Sequence, residues 1–197
     1  WYDRNRYTLL GLLTRLGGEA IDLGAVRDEP ALREAALRKA ARQADAIVTS
    51  GGVSTGEADH TRTLLQQLGD VAFWRIAMRP GRPMAVGRIQ AGAVQAKTAS
   101  LAYGESADSY QKNSIDGTEG AILFALPGNP VAVMVTFLAL VRPALLRMMG
   151  STHAAAPLLR VPSAEALRKR PGPTEYQRGV VSAAPVGVVG VRTNGNQ

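Results

Sequence analysis

Apolar residues at Tyr7, Leu9, Leu10, Leu12, Leu13 and Leu16 fall at helical spacing, and Gly17-Gly18 closes the run. The pattern predicts a helix over Asn5–Leu16. Glu19–Val26 reads as a short apolar strand with a turn around Gly24. Glu29–Ala44 is filled by Ala, Leu and Arg, with Pro30 suited to a first helical turn and Asp28 to an N-cap. A short apolar run at Asp45–Thr49 predicts a buried strand, Ser50–Asp59 a glycine-rich loop, and His60–Leu68 a third helix. Two strands follow, Val71–Ala77 and Met84–Arg88, with the loop Arg79–Pro83 between them. Further on come a buried strand at Ala121–Ala125, a tight loop at Pro127–Pro130 and a long apolar helix at Val131–Met149, ended by Gly150.

Strands and helices thus alternate, and the strands are apolar on both faces. That pattern predicts an α/β fold: three layers, a mostly parallel sheet with helices on both faces. Two stretches break the rhythm. Residues 90–120 are polar and rich in Ala, Ser and Gly without periodicity, which reads as an insertion in an α/β domain spanning 1–150. After a small-residue linker, 151–197 reads as short strands and turns at Leu158–Val161, Tyr176–Val181 and Val186–Arg192. These are expected to begin a small C-terminal β-domain that the chain does not complete. With no Met at position 1, the sequence reads as a piece of a longer protein.

Composition narrows the chemistry. The chain has no Cys, which excludes disulfides, thiolate metal sites and Cys nucleophiles. The two His, His60 and His153, stand apart, which argues against a His-built zinc site. No apolar run approaches the ~20 residues that span a bilayer, so no membrane partner is expected. The net charge is +7, carried almost wholly by Arg. With 5% aromatics and scattered arginines, a nucleic-acid surface is not expected. A site for a small anionic ligand fits better, because Arg makes planar two-point contacts with phosphate and carboxylate.

Three strand-end loops have the residue types for such a site, and in open α/β sheets ligands sit at the carboxyl ends of strands. In the first, Ser50, Gly51, Gly52, Val53, Ser54, Thr55 and Gly56 precede Glu57 and Asp59. Its glycines let backbone amides approach an anion, and its two carboxylates are hard oxygen ligands suited to Mg²⁺. The same residues also make an ordinary surface turn with Asp59 as a helix cap. Gly52-Val53-Ser54-Thr55-Gly56 also matches a nucleophile elbow. The loop continues past Gly56 instead of entering a helix, and His153 has no strand to place it, so a serine hydrolase is the weaker reading. The second loop sets Arg75, Arg79 and Arg82 around Pro80, Gly81 and Pro83. The third, Pro127-Gly128-Asn129-Pro130, runs into a helix with a good cap, where amides and dipole suit an anion. Alone, each of these is also a plain turn or helix start.

Taken in order, DAIVTSGGVSTGEAD, FWRIAMRPGRP and LPGNPVAV resemble the molybdopterin molybdenumtransferases, the family of the MoeA proteins and of the E domains of gephyrin and its plant counterpart. The likeness covers roughly 2–88 and 121–150, with a weaker match at 171–179. It implies a molybdopterin-binding α/β domain followed by part of a C-terminal β-barrel. It implies the last step of molybdenum cofactor synthesis: molybdenum from molybdate enters adenylated molybdopterin, with Mg²⁺, and AMP is released. It also implies a cytoplasmic homodimer whose active site is completed by the partner's N-terminal part, so that this piece alone is inactive. By the same likeness Asp59 takes the metal or catalytic carboxylate role, with Glu57 as a second metal ligand, and Asp28 matches an acidic position near molybdate. Arg75 and Arg79 stand where many members carry Lys, which keeps charge but not proton transfer. Asp3 and Asn5 resemble an Asp-Ser-Asn motif near the nucleotide, with Arg4 in place of Ser. Gly81, Arg82 and the Pro127–Pro130 loop match ligand-binding positions. A non-catalytic pterin-binding or scaffold module of the same fold is the alternative.

Overall fold

In the computed structural model, residues 3–51, 58–91, 120–153, 162–163, 166–167, 171–183 and 189–193 are described. The elements run α1 (Arg4–Arg15), α2 (Pro30–Gln43), β1 (Ala46–Ser50), α3 (Ala58–Leu68), β2 (Gly69–Arg75), β3 (Met78–Arg79), β4 (Pro83–Gln90) and β5 (Gly120–Leu126). Then α4 (Pro130–Thr136) passes through a π-helical turn (Phe137–Val141) into α5 (Arg142–Met148). β6 (Thr174–Glu175), β7 (Gly179–Ala183) and β8 (Val189–Thr193) follow.

The main sheet has the order β1-β5-β4-β2. β1 and β5 are parallel, but β5–β4 and β4–β2 are antiparallel, so the sheet is mixed and the expectation of a mostly parallel one is corrected. The reason lies in the connection from β2 to β4. It is only residues 76–82, too short for the crossover of a dozen or more residues that a parallel pair requires.

Alternation along the strands divides the apolar side chains between two clusters. One joins Ile47, Leu123, Ala125 and Ile89 to Ala40 and Ala41 of α2 and Leu64, Leu65 and Leu68 of α3. The other joins Phe124, Leu126 and Met84 to Leu9 of α1 and to Val133, Phe137, Val141 and Leu145. Neighbouring residues of β5 enter opposite clusters, as a two-residue period demands.

The long apolar helix forms as a single rod from Pro130 to Met148. Its π turn precedes Pro143, which has no N–H for the helix ladder and whose ring crowds the preceding turn. There the Arg142 amide reaches back to the Phe137 carbonyl. By length and composition this rod could cross a membrane, which corrects the expectation that no apolar run is long enough. Its Val133, Phe137 and Val141 are fully buried against the sheet side chains of the second cluster.

The predicted strand at 19–26 does not form. The segment forms neither strand nor helix and turns at Gly24, where φ is +73°, and Ile21, Leu23 and Val26 are exposed. A cleft of about 1360 Å³ lies between it and the free edge of β1, with Leu13, Leu37, Ala40 and Val48 in its lining. Strand propensity is realised only where a neighbour supplies backbone partners. Residues 92–119, most of the stretch set apart as 90–120, and the strand expected at 158–161 lie outside the described residues. The last expected strands appear as β7 and β8, an antiparallel pair, while β6 adds a parallel partner to β3.

Candidate functional site

The pairing register fixes where the loops emerge. Ser50 of β1 lies beside Leu126 of β5, Ala85 of β4 beside Ala125, and Arg75 of β2 beside Pro83. The loops that follow β1, β2 and β5 therefore all open at one end of the sheet. Strand order brings together segments far apart in sequence.

Side chains tie the β1 and β5 loops to each other. Asn5, in the first turn of α1, donates from Nδ2 to Ser50 Oγ at 2.7 Å and to the Gly128 carbonyl at 2.8 Å. The carbonyl can only accept, which orients the Asn5 amide. Ser50 Oγ in turn donates to the Pro127 carbonyl at 3.4 Å, a long bond. Asn5 Oδ1 is left buried without a partner among the described residues. Gly51, at φ +89°, turns the chain so that its amide meets the Leu126 carbonyl at 3.0 Å. Only glycine adopts that conformation without strain. Asp3 caps α1 by accepting from the Arg6 amide.

Pro127 is buried, and Gly128, Asn129 and Pro130 are exposed. Asn129 caps the rod: its Oδ1 accepts from the Val131 and Ala132 amides at 3.0 and 3.2 Å. Those two amides, and that of Gly51, are taken up within the fold. This corrects the picture of a helix start with open N–H groups.

The arginine loop is held differently. The Ile76 amide donates to the Arg82 carbonyl, and the Thr174 and Tyr176 amides donate to the carbonyls of Ala77 and Arg79, each at 2.8 Å. Gly81 is buried, with φ +101°. It packs against Ala132 and Thr136 of α4, so the arginine loop rests on the rod that starts at Pro130. Arg75, Arg79 and Arg82 are exposed, and their guanidinium groups make no ion pair among the described residues.

Asp28 does not cap α2. That position is Glu29, which makes no side-chain cap bond. The Asp28 carboxylate pairs with Arg33, whose other nitrogen donates to Thr61 Oγ1 at 2.8 Å. This chain of bonds ties the segment before α2 to the first turn of α3, two residues along from Asp59. Arg33 and Thr61 were not singled out from the sequence. Nothing in a helical Arg announces its partner, although its place five residues after an Asp is compatible with one. Asp59 lies on the first turn of α3, and Gly52, Val53, Ser54, Gly56 and Glu57 lie outside the described residues. Among the described residues, no group of three or more His, Asp or Glu is placed to hold a metal.

Comparison with known proteins agrees with this architecture. The family model described as "Probable molybdopterin binding domain" matches residues 1–147. A molybdopterin molybdenumtransferase of Haemophilus influenzae is 36% identical over 197 residues, covering 100% of this chain and 42% of that protein. Gephyrin of Dictyostelium discoideum is 31% identical over 128 residues, 65% of this chain and 16% of its own length. The chain thus spans less than half the length of these relatives. Among solved structures, the molybdopterin biosynthesis MoeA protein of Pyrococcus horikosii superposes with a TM-score of 0.54 at 31% identity, over 76% of this chain and 30% of that one. A molybdenum cofactor biosynthesis protein of Pyrococcus furiosus, at 23% identity and a TM-score of 0.59 over 97% of this chain and 52% of that one, shares the fold. With the family model matching three-quarters of its length, this chain belongs to the molybdopterin-binding domain family to which the molybdopterin molybdenumtransferases and gephyrin are related.

Proposed function

We propose that the protein acts in molybdenum cofactor biosynthesis, binding adenylated molybdopterin at the carboxyl end of the sheet and inserting molybdenum from molybdate with release of AMP. The names of the relatives support the pathway. One observation supports the location: the loops after β1, β2 and β5 open at one end of the sheet, and Asn5 ties the first of them to the last. The three-layer arrangement, the C-terminal β-barrel, the cytoplasmic homodimer, and the absence of a nucleic-acid or membrane partner are parts of the same proposal.

The ligand carries a pyrophosphate, and molybdate is a dianion. Arg75, Arg79 and Arg82 supply positive charge on exposed side chains that the fold leaves unpaired among the described residues. Guanidinium groups grip such oxyanions at two points and stabilise charge that grows on a leaving phosphate. In this reading Ser50, Gly51, Pro127, Gly128, Asn129 and Pro130 shape the floor, and Gly52, Val53, Ser54 and Gly56 are assigned to the ligand by resemblance. Asp3 and Asn5 support the nucleotide end, and Gly81 carries the arginine loop. Asp59 is the catalytic carboxylate and Asp28 acts from the molybdate side. Mg²⁺ is assigned to Asp59 and Glu57 by resemblance alone. The described donors do not assemble a site for it, with Asp28 already held by Arg33.

The alternative is a module that holds the same ligand without turnover. It is favoured by one feature: Arg stands at 75 and 79, and a guanidinium binds anions well but is a poor proton carrier. Binding of the adenylated pterin followed by turnover, both in the full-length protein, separates the two. Turnover in the wild type and a loss of roughly a hundredfold or more in Asp59→Asn, with binding kept, is the expected result. Wild-type turnover in Asp59→Asn removes the assigned role, and binding without turnover in the wild type leaves the scaffold reading.

A further inference from the structure

Thr136 lies near the end of α4, its side chain fully buried and its Oγ1 without a hydrogen-bond partner among the described residues. A helical threonine ordinarily donates to the carbonyl four residues back, here that of Ala132. A buried hydroxyl left unpaired destabilises the fold, and the methyl of a valine would carry no unpaired polar atom. Stability therefore does not account for the hydroxyl.

What faces it is Gly81. A Cβ on Gly81 would collide with Thr136 Oγ1 and come within 3.4 Å of Met78 Cε and 3.5 Å of the Ala132 carbonyl oxygen. The backbone of the arginine loop is thus seated against the small hydroxyl, closer than a side chain on the glycine permits. Arg79 and Arg82 flank this contact, and the rod that carries Thr136 begins beside Asn129, at the β5 loop. The contact is a direct link between the loop that presents guanidinium groups and the element that follows β5.

Resting on the function proposed above, we infer that Thr136 and Gly81 are positioning residues that set how deeply the arginine loop sits on the rod, and so the span between the guanidinium groups and the β5 loop. A misplacement of about 1 Å in such a pair of grips weakens binding and turnover far more than it changes folding. Replacing the hydroxyl by the larger methyl of Thr136→Val lifts the loop. Gly81→Ala lifts it further and also strains a positive-φ position. Thr136→Ser keeps the hydroxyl.

The test uses the full-length protein carrying spin labels at Arg82→Cys and Met134→Cys, both exposed positions. The 197 residues contain no native cysteine to interfere. AMP and molybdate affinities and unfolding midpoints are measured on the unlabelled variants. Thr136→Val is expected to lengthen the inter-label distance and weaken AMP binding by roughly three- to tenfold while its unfolding midpoint holds or rises. Gly81→Ala moves both further, and Thr136→Ser stays within about twofold of wild type, since the seat is kept. A purely structural role would instead make affinity follow stability. Unmoved labels in Thr136→Val and Gly81→Ala overturn the inference, and so does full affinity in both when the labels move. If the labels move but the wild type binds neither AMP nor molybdate, the positioning stands and the function proposed for the rim is what falls.

Discussion

Around β1 and β5 the rim is knitted by side chains: Asn5 reaches Ser50 and Gly128, and Asn129 closes over the amides of Val131 and Ala132. Between β2 and β4 the same rim is knitted by backbone. There the carbonyls of Ala77, Arg79 and Arg82 accept amides, and Gly81 is seated on α4. The two halves therefore leave different groups over. Where side chains do the holding, the described side-chain groups are spent on the fold, Asn5 Oδ1 apart. Where backbone does the holding, Arg79 and Arg82 project unpaired among the described residues. A fold can furnish a binding group only where it does not need that group for itself.

The sharpest way to break this contrast is to remove the free charges. With Arg79→Ala and Arg82→Ala combined, AMP and molybdate affinity in the full-length protein should fall by on the order of a hundredfold at low salt, since a hydrogen bond to a charged group contributes about 1.5–3 kcal/mol. The loss should shrink as salt screens the exposed groups. Thermal unfolding should move by no more than about 0.5 kcal/mol, because neither side chain supports the fold. A large stability loss would show that the arginines also hold the loop, and the contrast between the halves would fail.

A smaller effect of opposite character is expected on the other side. Asn5→Ala deletes two hydrogen bonds that cross between the β1 and β5 loops, so urea unfolding should lose about 1–2 kcal/mol. Anion affinity should fall only as far as the loops drift apart. If instead affinity collapses at unchanged stability, Asn5 is a direct ligand contact, as its likeness to the nucleotide motif implied.

These particulars show where local pattern reaches and where it stops. The helices and the strands of the main sheet were legible because burial imposes periods of 3.6 and 2 on the sequence. Leu123 and Phe124 sit in opposite clusters for that reason. Strand direction was not legible from alternation alone. The clue was present in the short link from Arg75 to Pro83, which has no room for a helix. The segment at 19–26 has the composition of a strand but no neighbour, and pairing is a property of two segments. At the rim, the loops were visible as glycine, proline and arginine clusters. The partners Asn5–Gly128, Arg33–Thr61 and Gly81–Thr136 join positions 28 to 123 residues apart, beyond any local pattern. The helix start at Asn129 shows the same limit: a strong cap was read as an open anion site, although a cap works by filling those amides.

The mildest probe exchanges one free group for another. Arg79→Lys keeps the charge and replaces a planar fork by a compact ammonium, the residue that the resemblance implies for many members at this position. The loop is fixed through its carbonyls and through Gly81, so the exchange should leave the unfolding midpoint in place. If Arg79 meets an oxyanion mainly as a charge, AMP affinity by calorimetry should stay within about threefold of wild type. A tenfold loss would mean that the guanidinium makes a two-point contact and that this chain has settled on Arg for geometry. Because backbone position is unchanged in either case, the measurement separates what the side chain contributes from what its loop contributes. On the Asn5 side no substitution could do so, since there the side chain is itself the tie.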